Sequence, residues 1–506
     1  MKLDRRGLLA AGAALPFLYG RKARAATGAL TFGLSSYPPS LAPWLNVGTA
    51  ATTVKFAINR GLLGYSTDGV LRGELAESWE RTDPTTWVFK LRDAVFHDGS
   101  PITSEDVRYC IEQVTAPNST AWFRGEFAQF ERVETPDPRT VRIITKKPLV
   151  PVAFWLASCY MMIVKKDSVT EERPHGIGAG PFTLESQERG VAVEVKAFDR
   201  FYRKDEPKLQ TIRFVAYADE NLRVAALDAG DVDIIEFVPW QSMTSIEQNP
   251  RLRLDNRDGG LFMYLFFNGN VKPFDDPRVR VAVAHSIRRE EIIQSAFYGR
   301  GEVLEGLPIP SSSEFHDPAK ANALAYDPDR ARQLLSAAGV GDGFSCKFLS
   351  TAQYGMHRDT AIVVQQHLSE VGIQCELVLP DWPTRVAMGE KGQFEMTMNG
   401  TTLDYNDPDA LGQCLDPALP PSVIRSRDVE VPGLSELLAQ GRSEFDLAKR
   451  KQIYAKVEDL TLEYAPIVAL MWRVQGYGLQ RNVGGFKNMP GALTIYSGTA
   501  LSETFV

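Results

Sequence analysis

Short apolar runs with a period of two alternate with longer amphipathic stretches of helical period along most of this chain. Thr86-Trp87-Val88-Phe89-Lys90-Leu91 places apolar side chains at every second position, as a half-buried strand does. Runs of the same kind predict strands at about residues 30–34, 141–145, 161–165, 192–197, 211–216, 261–268, 346–350, 374–379 and 467–472. Helical periodicity predicts helices at about 50–62, 103–114, 220–229, 278–296, 327–338, 360–371 and 446–462. Their ends carry the expected punctuation. Thr103 precedes Asp106 by three residues, a capping arrangement, and Gly230 and Gly339 follow the last apolar positions of two helices. Strand, helix and strand over 346–379 make a βαβ unit, which implies a parallel pair. The mixture is that of an α/β protein, and at 506 residues two or three lobes are expected.

The first 25 residues break this pattern. Arg5-Arg6 with Leu8-Leu9, a short Ala-rich apolar centre and Ala23-Arg24-Ala25 read as an export signal, of the twin-arginine type, cleaved after Ala25. Its apolar centre is too short to span a bilayer. Its removal takes the net charge from −7 to −12, because six Lys/Arg and one Asp leave with it. An acidic body speaks against a nucleic-acid groove or an anionic-membrane surface. No later apolar run spans a membrane, so a periplasmic, non-membrane-spanning chain is expected. Cys110, Cys159, Cys346, Cys375 and Cys414 form no Cys-x-x-Cys pair and read as free thiols. Cys346 and Cys375 nevertheless fall on predicted neighbouring strands where a disulfide is an alternative. The six His residues show no metal-ligand spacing, and no metal or cofactor is expected. No Gly-x-Ser-x-Gly, His-Glu-x-x-His or Walker loop occurs, so nothing asks for an enzyme; an exported hydrolase is the weaker alternative.

Several ordered blocks carry more information. They are Leu75-Ala76-Glu77-Ser78-Trp79, Phe96-His97-Asp98-Gly99-Ser100-Pro101, Gly178-Ala179-Gly180-Pro181-Phe182, Ala229-Gly230-Asp231-Val232-Asp233, Pro273-Phe274-Asp275-Asp276-Pro277, Tyr326-Asp327-Pro328 and Asp404-Tyr405-Asn406-Asp407-Pro408. In this order and spacing the chain resembles the dipeptide/oligopeptide/nickel class, family 5, of bacterial ABC-transporter solute-binding proteins. The resemblance implies a two-lobed periplasmic-binding-protein fold (class II, cluster C type) with an additional inserted small domain. One lobe would take 26–74, 180–260 and 476–506, the inserted domain 75–179, and the other lobe 261–475. It implies a monomer that closes around a peptide or peptide-like solute and hands it to the permease and ATPase subunits of an importer. An opine, an oligosaccharide or a chelated metal remains open as the ligand.

The same resemblance nominates ligand-binding residues. Asp404 corresponds to an Asp that pairs with a peptide's α-ammonium in relatives, with Tyr405 beside it; holding the following turn is the alternative role for Asp404. Trp382 is the expected aromatic wall. Trp44 and Val47 are expected to border the cleft from the first lobe, and Trp122 from the inserted domain. Some oligopeptide binders carry Trp where this chain has Thr401, so the pocket shape differs here. His97, beside an Asp-Gly turn, is given a turn-stabilising role, and Trp79, Trp87 and Phe89 are expected in the small domain's core.

Overall fold

The computed structural model describes residues 28–419 and 422–506, with backbone alone at 258 and 259. The predicted leader and its cleavage site lie outside the described residues. Two strands organise everything else. The first, Leu252–Phe267, pairs antiparallel with the second, Ile467–Gln480, along nearly their whole lengths. At one end the second strand pairs with Ile234–Ile235, which leads to Ala29–Leu34, Thr211–Ala216, Ala192–Ala197 and Phe182–Glu188. At the other end the first strand pairs with Met396–Thr402, followed by Phe344–Leu349 and Ile373–Val378. The two crossing strands thus join both lobes in one 11-stranded sheet. Their register shifts between Arg257 and Leu261, midway across. Gly260 sits in that shift, and a Cβ on it would lie 1.8 Å from the carbonyl carbon of Gly491.

Each lobe contains a parallel set. Ala29–Leu34 runs parallel to Thr211–Ala216 and Ile234–Ile235; Phe344–Leu349 runs parallel to Ile373–Val378 and Met396–Thr402. The predicted βαβ unit is therefore present. A separate four-stranded antiparallel sheet is built from Ala76–Asp83, Thr86–Leu91, Thr140–Thr145 and Phe130–Asp137. Phe89 and Trp87 are buried against it, whereas Trp79 is only half-buried. Helix Ser104–Thr115 packs on this sheet and opens with the expected capping pair: Thr103 donates from its amide and hydroxyl to Asp106 Oδ2 at 2.9 and 2.7 Å, worth about 1 kcal/mol.

Some expectations need correction. The crossing strands extend well beyond the predicted 261–268 and 467–472. Their added halves carry Arg, Asp and Gln that break an apolar pattern, yet all fourteen residues of Ile467–Gln480 are buried. The single helix predicted at 278–296 is two, Pro277–His285 and Arg289–Phe297. Residues 161–165 form no strand, only a bridge between Arg60 and Ile163. His97 does more than brace a turn. Its amide donates to the Gly178 carbonyl at 2.9 Å and its Nε2 lies 3.0 Å from the Gly180 carbonyl. That fixes the glycine bend against the end of helix Thr49–Ile58, where a Cβ on Gly178 would lie 2.2 Å from the Ile58 carbonyl oxygen.

Candidate ligand-binding site

In an open α/β sheet the crevice beyond the carboxyl ends of parallel strands is where ligands bind. Here two such sets end toward each other. One ends at Leu34, Ala216 and Ile235, the other at Leu349, Val378 and Thr402. Burial pushes the phenol pKa of Tyr354, just past the second set, upward, and the charge of Glu220, just past the first, adds to the rise. Asp404 follows Thr402 by two residues, and Trp382 follows Val378 by four. Both therefore stand a short step past the carboxyl ends of strands.

The turn after Met396–Thr402 shows what Asp404 does not do. Asp407 is the N-cap of the short helix Pro408–Leu411, accepting from the Asp409 amide, and Arg450 grips it with two bonds of 2.6 and 2.7 Å. Asp409 pairs with Arg442 at 2.8 Å. The turn is held by these two aspartates and their arginines. Asp404, 7% exposed, has no such cation. Its Oδ2 accepts from Trp122 Nε1 at 3.0 Å, and its main-chain carbonyl accepts from Tyr496 Oη at 2.8 Å. Burial pushes its pKa up to about 6, against the stabilising bonds from Trp122 and Gln413. Glu126, in the short helix Arg124–Phe127, is pushed up to about 7 by burial, with Asp404 adding to the rise; Gln413 lies 3.5 Å from it. Two carboxyls from different parts of the chain converge, and the cation that reaches Glu126, Arg442, is already paired with Asp409.

The other nominated residues divide. Trp382 is half-buried and its ring stands edge-on to Tyr354 at 5.3 Å and His357 at 5.5 Å, with the Arg385 guanidinium 5.2 Å over it. Trp382 thus packs in a small aromatic cluster with Tyr354 and His357. Trp44 donates from its indole to the Met162 carbonyl at 3.0 Å, and its own carbonyl accepts from the Trp122 amide at 3.0 Å. It orients Trp122. Val47 is half-buried three residues on. Thr401 is half-buried, and its hydroxyl turns to its neighbour's carbonyl. Tyr405 is turned inward. It is 3% exposed, stacks on Phe154 at 5.6 Å, donates to Asp409 at 2.7 Å and accepts from Trp155 at 3.2 Å. Its hydroxyl is used up in joining Trp155 to Asp409.

Sequence reading did not reach Glu126, Tyr354, Gln413 or Tyr496, which come from four separate segments. Among the described residues no group of three His, Cys, Asp or Glu side chains is placed to hold a metal ion. No described helix is long and apolar enough to cross a membrane. Cys346 and Cys375 are direct register partners with sulfurs 3.5 Å apart, both free thiols.

Residues 70–415 match the model of bacterial extracellular solute-binding proteins, family 5. The chain belongs to this family. It is 27% identical to the glutathione-binding protein GsiB of Pectobacterium atrosepticum, over 99% of each chain. Its fold superposes with a TM-score of 0.88 on AgaA of A. tumefaciens R10, solved with agropinic acid. The two share 38% identity over 95% of this chain and 99% of that one. DppA of Helicobacter pylori, an ABC transporter-associated periplasmic binding protein solved with the peptide STSA, gives a TM-score of 0.83. Its identity is 19%, with 95% and 98% coverage. A family 5 protein is a solute-binding component of an ABC importer rather than an enzyme.

Proposed function

We propose that this chain captures a small amino-acid-derived solute, a peptide or an opine, in the crevice between its lobes and delivers it to a membrane permease. The observation that carries this reading is Asp404: a buried carboxyl at the end of a parallel strand, hydrogen-bonded by Trp122 and lacking a cation of its own. Such a group is costly in the empty protein and is relieved by a ligand ammonium or hydroxyl. Trp122 and Trp44 set its geometry, and Trp382 with Tyr354 supplies a flat apolar face beside it. The relationship to AgaA favours an opine within this class, and that to GsiB a glutathione-like peptide.

Capture works by closure. The division into 26–74 with 180–260 and 476–506, 75–179, and 261–475 is the one we propose to move, because the register shift of the crossing strands falls at its 260/261 boundary. Closure excludes water and strengthens every polar contact to the solute. The closed surface engages the permease as a monomer, after export and loss of residues 1–25. Titration calorimetry of the processed protein against dipeptides, glutathione and agropinic acid tests this. Binding with the compound recovered intact is expected; turnover of any of them, or unchanged affinity in Asp404→Ala, would overturn it.

A further inference from the structure

The second crossing strand carries a charge that the protein does not use. Arg473 is 4% exposed. Other buried arginines each donate to several main-chain carbonyls or to a carboxylate. Arg280 donates to the carbonyls of Phe274, Asp275 and Tyr464, Arg289 to those of Leu304, Ala469 and Leu324, and Arg450 to Asp407 and the Gly441 carbonyl. Arg473 has neither a main-chain carbonyl nor a carboxylate as partner. Its Nη1 lies 3.2 Å from Gln475 Oε1 and 3.6 Å from Met356 Sδ, a poor acceptor, and its Nε has no partner. Burial alone lowers its pKa, to about 10, so it stays charged at neutral pH.

Its surroundings point the same way. Met356 belongs to the first turn of helix Gly355–Ser369, whose N-cap Tyr354 makes no side-chain capping bond and whose first turn holds no acid. The positive end of that helix is therefore uncompensated beside an unpaired guanidinium. His357, next in the same turn, has an unpartnered buried Nδ1. In register, Arg473 faces Leu261, and Leu261 faces Thr402. Two strand spacings put the backbones of Arg473 and Thr402 about 10 Å apart, with Asp404 two residues beyond.

Resting on the reading of the crevice as the solute site, we propose that Arg473 is the anion-recognition residue of this protein and takes a carboxylate of the solute, assisted by the N-terminus of helix Gly355–Ser369. The solute then carries a carboxylate at one end and an amine or hydroxyl group for Asp404 at the other, about one dipeptide apart. A neutral sugar does not meet this requirement.

The test uses the processed full chain, wild type, Arg473→Met, Arg473→Lys and Asp404→Asn. The probes are dipeptides, glutathione and agropinic acid, each as free acid and as carboxamide. The wild type is expected to bind at least one acid ten times or more tighter than its amide, and Arg473→Met to lose that preference. Asp404→Asn is expected to weaken acid and amide alike, so an unchanged Asp404→Asn would sink the role of Asp404 while leaving that of Arg473. An acid/amide ratio that survives in Arg473→Met overturns the proposal, as does a wild type indifferent to the carboxylate. Melting of the ligand-free proteins decides even if no probe binds. A guanidinium kept for a ligand makes Arg473→Met at least as stable as wild type. A structural one makes it less stable, with rescue by Arg473→Lys, and overturns the proposal.

Discussion

Replacing Asp404 with Asn removes a charge while keeping an oxygen for Trp122 to donate to. In the folded protein the Asp404 carboxyl titrates at about 6 instead of 3.8, with burial as the main cause. A raised carboxyl pKa means the folded state holds its proton longer than the unfolded state does. Stability from this group is therefore unaffected below about pH 3.8, falls as pH rises, and levels off above about 6. The span of about two pH units amounts to roughly 3 kcal/mol of destabilisation at pH 7.5. Asn recovers this, less about 1 kcal/mol for the weaker bond from Trp122. The ligand-free variant should be about 1–2 kcal/mol more stable than wild type at pH 7.5, a rise of about 1–2 °C in Tm for a chain of this length, and should lose that advantage at pH 4.5.

Binding should move the other way. An ammonium left beside a neutral amide instead of a buried carboxylate costs about 2 kcal/mol or more, roughly thirtyfold in Kd. Calorimetric melting at the two pH values and titration with an amine-bearing solute measure both effects on one preparation. A variant that is less stable at pH 7.5, with the same pH slope as wild type, would refute the claim that Asp404 is an uncompensated carboxyl.

Three further outcomes follow from the geometry. Tyr405→Phe leaves Asp409 and Trp155 each short of a buried partner, so Tm should fall by an amount equivalent to about 1–3 kcal/mol while Kd stays within about twofold; a selective loss of affinity would return Tyr405 to the ligand. Gly260→Ala drives a Cβ into the Gly491 backbone, so the ligand-free protein should show a larger radius of gyration by X-ray scattering or a lower Tm, and no change in either would dismiss this packing as a constraint. Mild oxidation of native protein should link Cys346 to Cys375, whose sulfurs lie 3.5 Å apart, seen as a two-dalton loss on that peptide pair; linkage through Cys110, Cys159 or Cys414 instead would contradict their burial.

The elements most legible from sequence were those that bury one face locally. Thr86–Leu91, Ala192–Ala197, Thr211–Ala216 and Glu220–Ala229 fall where the pattern puts them, because period and capping there depend on neighbours in the chain. The helix predicted over 278–296 divides at Ser286, whose hydroxyl donates to the Ala282 carbonyl, and resumes at Arg289, which is drawn away to carbonyls of distant segments. Nothing local announces that pull. Asp404 and Trp382 were reachable because each sits in a motif just past a strand. Glu126 and Tyr354 were not, because their roles arise from which segments the crossing strands bring together.

The end of the second crossing strand shows the limit and its reason in one place. Met471-Trp472 closes an apolar run, and Arg473 and Gln475 read as the start of an exposed segment. The strand continues to Gln480 because Leu252–Arg257 covers one edge and Ile234–Ile235 the other, satisfying its backbone. Arg473 itself lies between Leu261 and Gly301, so its burial is imposed by pairing rather than by its own side chain's preference. A sheet that only had to be stable would place an apolar residue there, since an unpaired guanidinium in the interior costs several kcal/mol. Local rules are broken in this way where a site needs a charge held ready. The two charges we propose for this crevice, the Asp404 carboxyl and the Arg473 guanidinium, are of opposite sign and separated by two strands. That arrangement stabilises the closed protein only when a solute with the reverse charges lies between them, which makes closure depend on the solute.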